Sequence, residues 1–446
     1  MGKATTLEER ILISELAKGG QTDRAIAEQL GWSVSTVRKW RRRAKHDGRP
    51  GLVSRLGRPR TGELSTFPRV MGQTVQAWRK KHPGWGPKTL RAELEADEEF
   101  REHPLPSLRS LARFLKAEKL TRDYERHNPL PEPAGTAPQA PHEEWEIDAK
   151  GPQKIAGVGI ASLINLNDCY SHVRLLSYPC LVGKERVERR GTTEDYQMVL
   201  RLAFSKWGLP DRIATDRDSV FHDNTSKSPY PTRLHLWLLA LGVSLSFGRP
   251  NCPTDQGMTE WSHQLWEHQV LEGQSFVDWD HLYHMLLTRR DFLNCRLPCS
   301  SLGDVPPLVA YPQAQVPRRL YRPEWETELL DLSRVYEYLA QGRWFRRSGK
   351  GGVLAIGCRF YTLGQTWQNQ QVEITFDATD QHLVFLSADG NHSKRIPVKG
   401  ITRQELMGEM GPLVNLPLFQ LALPFSWEEW RVTRLLGTLG ARLNGT

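Results

Sequence analysis

The sequence predicts an α/β protein: a mixed β-sheet with helices on its faces, preceded by two small helical units and followed by a β-rich segment. Three observations carry this expectation. Apolar residues recur at helical spacing through the first 122 positions; from Glu144 the pattern runs β-β-β-α-β-α-β-α; and from 352 it returns to short alternating strands. A length of 446 residues allows about three domains. Residues 1–126 hold 27 of the 60 Lys and Arg but 16 of the 51 Asp and Glu, so the front is net +11 and the remainder net −2. A basic front on a near-neutral body is the charge layout of a nucleic-acid anchor joined to something else. Six cysteines without a C-x-x-C pair fit a reducing compartment. The longest apolar run, LHLWLLALGVSLSF, is too short for a bilayer, so no membrane partner and a cytoplasmic location are expected.

Residues 1–47 read as three short helices. Leu7, Ile11, Leu12 and Leu16 recur at helical spacing, Gly19-Gly20 stops the first helix, Thr22 caps the second, and Gly31-Trp32 turns into a third capped by Ser33. Val37 and Trp40 face inward there, leaving Arg38, Lys39, Arg41, Arg42 and Arg43 for solvent or phosphate. This is similar to a helix-turn-helix that lays its last helix in the major groove of double-stranded DNA. Residues 48–64 repeat Gly-Arg-Pro; Arg58 and Arg60 suit a minor-groove segment like an AT-hook and equally suit a solubilising linker. Residues 65–122 have the layout of a second helix-turn-helix, with Leu90, Leu94, Leu108, Leu111 and Leu115 packed and Lys88, Arg91, Arg109, Arg113 and Lys116 outward. The prolines of 123–142 make a semi-extended linker.

From 143 to 312 the elements alternate. EWEIDA sets Trp145 and Ile147 against Glu146 and Asp148, and two further strands follow as an antiparallel meander. Tyr196, Val199, Leu200, Ala203, Phe204 and Trp207 form one helix face, which ends at Gly208 before the strand RIATD. YPTRLHLWLLALG reads as a helix and VSLSF as a strand. A last helix carries Met258, Trp261 and Leu265 as its buried stripe, with Glu260 at the margin.

WEIDA with Asp148, GLPDRIATDRDSVF with Asp216, and RPNCPTDQGMTEW with Glu260 resemble the three signature blocks of the integrase-core (DDE-type) transposases, the group of retroviral integrases and bacterial insertion-sequence enzymes. The P-x-x-Q-G-x-x-E pattern is the most specific part, and with LNCRLPCSSLGDVPPLVAY closing the core the resemblance covers most of the chain. It implies an RNase H-like catalytic core over 143–312 in which Asp148, Asp216 and Glu260 are the catalytic residues and bind two Mg²⁺ ions, Mn²⁺ being a possible substitute. Hard carboxylate oxygens suit such a pair, which activates an attacking oxygen and stabilises a leaving one in phosphodiester cleavage. This chain departs from the family pattern in having Arg217-Asp218 where Asn-Gly is usual, a longer stretch between Asp216 and Glu260 that includes HDNTSKSPYP, and Glu267 where a basic residue is frequent. Asp218 reads as a neighbour of the site, and Asp168 as a turn residue.

His281, His284, Cys295 and Cys299 have zinc-like spacing, but their place in the core-closing segment assigns them to packing. A connector (313–351) leads to four or five strands over 352–402, expected to form a small β-barrel like the one that follows the core in related transposases; 403–446 is a tail in which FSWEEWRVTRLL reads as a helix. The expectation is a bacterial, nucleoid-associated transposase of the insertion-sequence type that binds transposon ends, cuts them to free a 3′-hydroxyl and joins it to target DNA as a homodimer or higher homo-oligomer. The rivals are a non-catalytic DNA-binding regulator with a degenerate core and a nuclease without strand transfer.

Overall fold

The computed structural model describes residues 5–53, 63–121, 137–181, 191–248 and 257–408, and the chain divides into two units, Met1–Gly72 and Gln73–Thr446. In the first unit, α1 (Leu7–Lys18), α2 (Asp23–Leu30) and α3 (Val34–Asp47) are each started by a hydroxyl side chain, Thr6, Thr22 and Ser33, that accepts a first-turn N–H. Gly31, at φ 68°, ends α2 in the left-handed conformation that glycine tolerates. Ile13, Ile26, Ala27, Val37, Trp40 and Leu52 form the core.

The apolar stripe expected on α1 is rotated. Leu7 and Leu12 are exposed, and Arg10 and Ile13 are buried instead. Arg10 lays its guanidinium 4.0 Å above the Trp40 ring and donates to Thr5 Oγ1 (2.9 Å) and the Leu52 carbonyl (3.0 Å), so a cation with satisfied donors occupies a core position. The first Gly-Arg-Pro is also structural. Arg49–Leu52 forms a 3₁₀ turn against α3, and a Cβ on Gly51 would stand 2.5 Å from the Arg43 carbonyl oxygen. Arg58 and Arg60 lie outside the described residues.

Helix α4 (Arg69–Lys81) is followed in the second unit by α5 (Pro87–Ala96) and α6 (Leu108–Ala117). Leu90, Leu94, Leu111 and Leu115 are buried as expected, whereas Leu108 is exposed. The central sheet has the order β3-β2-β1-β4-β5, from β1 (Glu144–Ile155), β2 (Gly159–Asp168), β3 (Arg174–Leu181), β4 (Arg212–Thr215) and β5 (Ser244–Phe247). The first three strands are an antiparallel meander, and β4 and β5 run parallel to β1. One face buries Trp145, Ile147, Ile164 and Leu166 against α7 (Thr193–Trp207) and α8 (Arg233–Ala240). Alternation along β2 turns Ala161 and Leu163 to the other face, where they meet Trp266, Leu282 and Leu286 of α9 (Gly257–Trp266) and α10 (Trp279–Cys295). The expected α9 stripe is displaced too. Ser262 and Trp266 are buried and Trp261 is 45% exposed, because the sheet beneath presents Asn167, whose Oδ1 meets Ser262 Oγ at 3.4 Å.

The helical segment before the core is anchored on it. A Cβ on Gly84 would stand 2.1 Å from the His268 carbonyl oxygen, Trp85 Nε1 donates to the Gln269 carbonyl (3.3 Å), and Arg289 of α10 stacks on Trp85 at 4.4 Å.

After α10 come two single-turn helices, α11 (Pro307–Ala310) and α12 (Glu326–Leu329), and then α13 (Leu332–Ala340). Glu326 is fully buried and takes a two-point contact from Arg201 of α7 (2.7 and 2.6 Å), with Trp237 Nε1 (2.8 Å) and the Tyr321 hydroxyl on the same carboxylate. The β-rich segment starts earlier than expected, at β6 (Arg343–Arg347), inside the presumed connector. Strand β7 (Val353–Ile356) pairs only with β8 (Arg359–Thr362), while β6, β9 (Gln371–Asp377), β10 (His382–Ser387) and β11 (Ser393–Pro397) make an open sheet of order β11-β10-β9-β6. That pairing is a sheet plus a hairpin rather than a closed barrel. The HDNTSKSPYP stretch is the cement here: Asp223 pairs with Arg346 (3.2 Å), and the Pro229 carbonyl accepts from Trp344 Nε1 (3.1 Å). A short α14 (Arg403–Met407) follows, and FSWEEWRVTRLL lies outside the described residues. No helix among the described residues is long and apolar enough to cross a membrane.

Candidate active site

Strand pairing brings Asp148 and Asp216 together. β1 and β4 are parallel neighbours with Glu146 opposite Ala214, and each acid follows two residues further on its own chain. Hydrogen-bonded neighbours of this kind lie about 4.8 Å apart. Asp148 is 22% exposed and its Oδ1 accepts from the Ala149 N–H at 2.7 Å. Asp216 Oδ1 accepts from the Asp218 N–H at 2.9 Å.

Asp218 organises the loop that presents Asp216. It is buried, its Oδ1 accepts from Ser219 Oγ (3.1 Å), and its carbonyl accepts from the N–H groups of Phe221 and His222 (both 2.9 Å). The Arg217-Asp218 position is therefore a turn closed by the Asp218 carbonyl oxygen, with the Asp218 carboxylate on Ser219. Tyr196, at the start of α7, registers the convergence. Burial and then the charges of Asp218, Asp148 and Asp216 push its phenol well above the ordinary tyrosine range.

Glu260 lies on α9, and its side chain falls outside the described part of the structure. One turn later, His263 places Nε2 3.7 Å from Asp148 Oδ2. Burial, and secondarily the charge of Lys150, pushes this imidazole down to about 4, so it is neutral at physiological pH. Lys150, two residues past Asp148, binds Glu267 at 2.6 Å. The acid at the position where a base was expected thus meets a base from β1. Glu267 opens a π-helical turn, Glu267–Leu271, of the kind that re-aims side chains near functional sites. The sequence reading assigned no role to His263, Lys150 or Tyr196. The position of His263, three residues after Glu260 on one helix, was a signal for it; the strand partner of Glu267 had none.

The other sequence-predicted residues sort cleanly. Asp168 is a structural acid, fully buried, accepting from the N–H groups of His142 (2.7 Å) and Ser171 (2.9 Å). On α3, Lys39 and Arg42 are exposed, Arg43 lies 4.9 Å above Trp40, and Arg38 and Arg41 lean on Asp23 at 3.4 and 2.8 Å. These arginines hold the Asp23 carboxyl below the usual range. Arg109 and Arg113 are exposed on α6. Lys88 is not outward: its Nζ is tied to Asp304 (2.6 Å) and Ser300 (2.7 Å). His281, His284 and Cys295 are exposed and Cys299 is partly so, which corrects their assignment to core packing. Among the described residues, no three His, Cys, Asp or Glu side chains converge so as to hold a metal ion. The donors on β1 and just past β4 are hard carboxylate oxygens, the class that Mg²⁺ prefers, and the described residues supply two of the three expected acids.

Residues 4–53 match a homeodomain-like domain. The N-terminal unit is thus a helix-turn-helix module of homeodomain-like type. Among solved structures, the chain is similar to a simian T-cell lymphotropic virus intasome in complex with PP2A regulatory subunit B56 gamma, at 13% identity over 69% of this chain and 96% of that one, TM-score 0.31. It is also similar to the HTLV-2 integrase catalytic core domain in complex with magnesium. The trimeric form matches at 14% identity over 37% of this chain and 93% of that one, TM-score 0.27, and the dimeric form at 14% over 34% and 87%, TM-score 0.24.

Proposed function

We propose that the chain is a DNA transposase of the integrase-core type, which binds transposon ends through its helix-turn-helix module and cuts and joins DNA beside the central β1–β4 strand pair. The observation that carries the reading is the pairing of β1 with β4, which leads Asp148 and Asp216, from motifs 68 residues apart, each to a point two residues past the Glu146–Ala214 pair, with α9 packed on β1. The strand order, with an antiparallel meander and two added parallel strands, agrees with the RNase H-like core that the signature blocks imply.

Asp148, Asp216 and Glu260 would hold two Mg²⁺ ions, which supply charge neutralisation at the attacking and leaving oxygens. The protein's own residues do the rest. Asp218 fixes the Asp216 carboxylate, neutral His263 stands against Asp148, and Lys150 neutralises Glu267 beside the site. In cleavage, a water oxygen bonds to phosphorus and the bond to the 3′-oxygen breaks, leaving a 3′-hydroxyl; in joining, that hydroxyl bonds to a target phosphorus and displaces the target 3′-oxygen. Arg38, Lys39, Arg42, Arg109 and Arg113 are exposed and would contact DNA phosphates, and joining two ends calls for at least a homodimer.

The test uses the full chain on DNA taken from the gene's own flanks, searched for inverted repeats. Wild type is expected to nick and join in Mg²⁺ or Mn²⁺, while Asp148→Asn, Asp216→Asn and Glu260→Gln still bind and do neither. Equal, metal-independent behaviour of wild type and Asp216→Asn would favour a DNA-binding regulator with a degenerate core, and nicking without joining would favour a nuclease.

A further inference from the structure

A cavity of about 660 Å³ is lined by α5, β3, α9, α10 and the segment after α10. Its defining feature is Arg174, which is 3% exposed. The backbone of Arg174 is clamped by Asn294, which accepts its N–H and donates to its carbonyl, both at 2.8 Å. Its guanidinium lies 4.3 Å above the Trp261 ring and donates to the His172 carbonyl, while Nε has no acceptor among the described residues. No described carboxylate pairs with this guanidinium.

A buried cation without an anion is costly, so a fold that clamps one in place invites an anionic ligand. Burial alone pulls this arginine down to about 10. The rest of the lining narrows the choice. Among the described lining residues there is no carboxylate, Lys88 already has Asp304 as its partner, and Leu265, Leu293 and Leu297 provide an apolar surface beside the Trp261 indole. The volume falls within the range of small-molecule sites. The residues read from sequence as a buried stripe, Met258, Trp261 and Leu265, line this cavity.

We propose that this cavity binds a nucleotide, its phosphate on Arg174 and its base against the leucine wall. The chemistry is shared by a free nucleoside monophosphate and by a nucleotide of a DNA strand. None of Asp148, Asp216 and Asp218 lines the cavity, and its test needs no divalent metal, so its failure and failure of the catalytic reading are separate events.

The experiment is equilibrium dialysis of the full chain, in chelator, with dAMP, the dinucleotide pdApdA, deoxyadenosine and inorganic phosphate. A dinucleotide is too short to engage a helix-turn-helix. Wild type is expected to bind dAMP saturably, with deoxyadenosine and phosphate each weaker by roughly tenfold or more. Arg174→Met removes the cation and Leu297→Trp fills the cavity with Arg174 in place; with folding checked by circular dichroism, both are expected to lose affinity by roughly tenfold or more. Tighter binding of pdApdA than of dAMP assigns the source to a strand, and the reverse assigns it to the free nucleotide. Absence of saturable binding by both, unchanged affinity in the folded variants, or equal affinity for deoxyadenosine or phosphate overturns the proposal.

Discussion

Replacing Glu326 by alanine tests how the chain after the core is fastened to it. Arg201 and Glu326 have side-chain exposures of 2% and 0%, and the carboxylate accepts from two guanidinium nitrogens, the Trp237 indole and the Tyr321 hydroxyl. Removing it strands a buried cation, which costs roughly 3–5 kcal/mol in comparable sites. The indole and the phenol also lose their acceptor, at roughly 1–3 kcal/mol for a buried group, but the losses share one carboxylate and do not simply add. We expect Glu326→Ala to destabilise the second unit by roughly 3–5 kcal/mol, and the paired replacement Arg201→Met with Glu326→Leu to recover most of that loss, because no charge is then left buried. Urea unfolding followed by far-UV circular dichroism measures both. A single variant within about 1 kcal/mol of wild type, or a paired variant no better than the single, would refute the reasoning.

Asp218→Asn keeps an oxygen acceptor for Ser219 and the loop, so it should retain nicking within about tenfold of wild type, whereas Asp216→Asn should have none; comparable loss in both would mean that Asp218 is itself a ligand. His235 is held down to about 4, first by burial and then by His222, so it is neutral in the folded chain and takes up a proton more readily when unfolded. Its share of stability is whole above about pH 6.5 and is lost as pH falls towards 4; urea midpoints should drop over that window, and less steeply in His235→Gln. Gly84→Ala would drive a Cβ into the His268 carbonyl and should cost roughly 1–3 kcal/mol by thermal unfolding, with protease cleavage appearing between α4 and α5; a neutral result would mean that the two segments separate freely.

What was legible in the sequence was what is local. Thr22 and Ser33 each cap a helix within three residues of themselves, and Tyr196 to Trp207 repeat on one helix face, so both could be read from spacing. The signature blocks single out Asp148 and Asp216, and the pairing of β1 with β4 puts the two blocks on neighbouring strands. The misreadings arose where a distant partner decides. Leu7 and Leu12 looked like core, but the Trp40 ring selects Arg10; Trp261 looked buried, but a polar sheet face selects Ser262. Lys88 looked free until Asp304, more than two hundred positions away, was beside it, and Glu267 looked anomalous until Lys150 was. The strands after 343 show alternation whether they close a barrel or stop at an edge, and only the pairing distinguishes these.

The contact between β1 and β4 also has a consequence for incomplete copies of the polypeptide. Synthesis halted between Asp148 and Arg212 yields a product with the entire homeodomain-like module and Asp148, but with no β4 to lead to the second acid. On the proposed function, such a product would occupy the same DNA ends without processing them. An early stop codon would thereby turn the gene into a source of its own competitor.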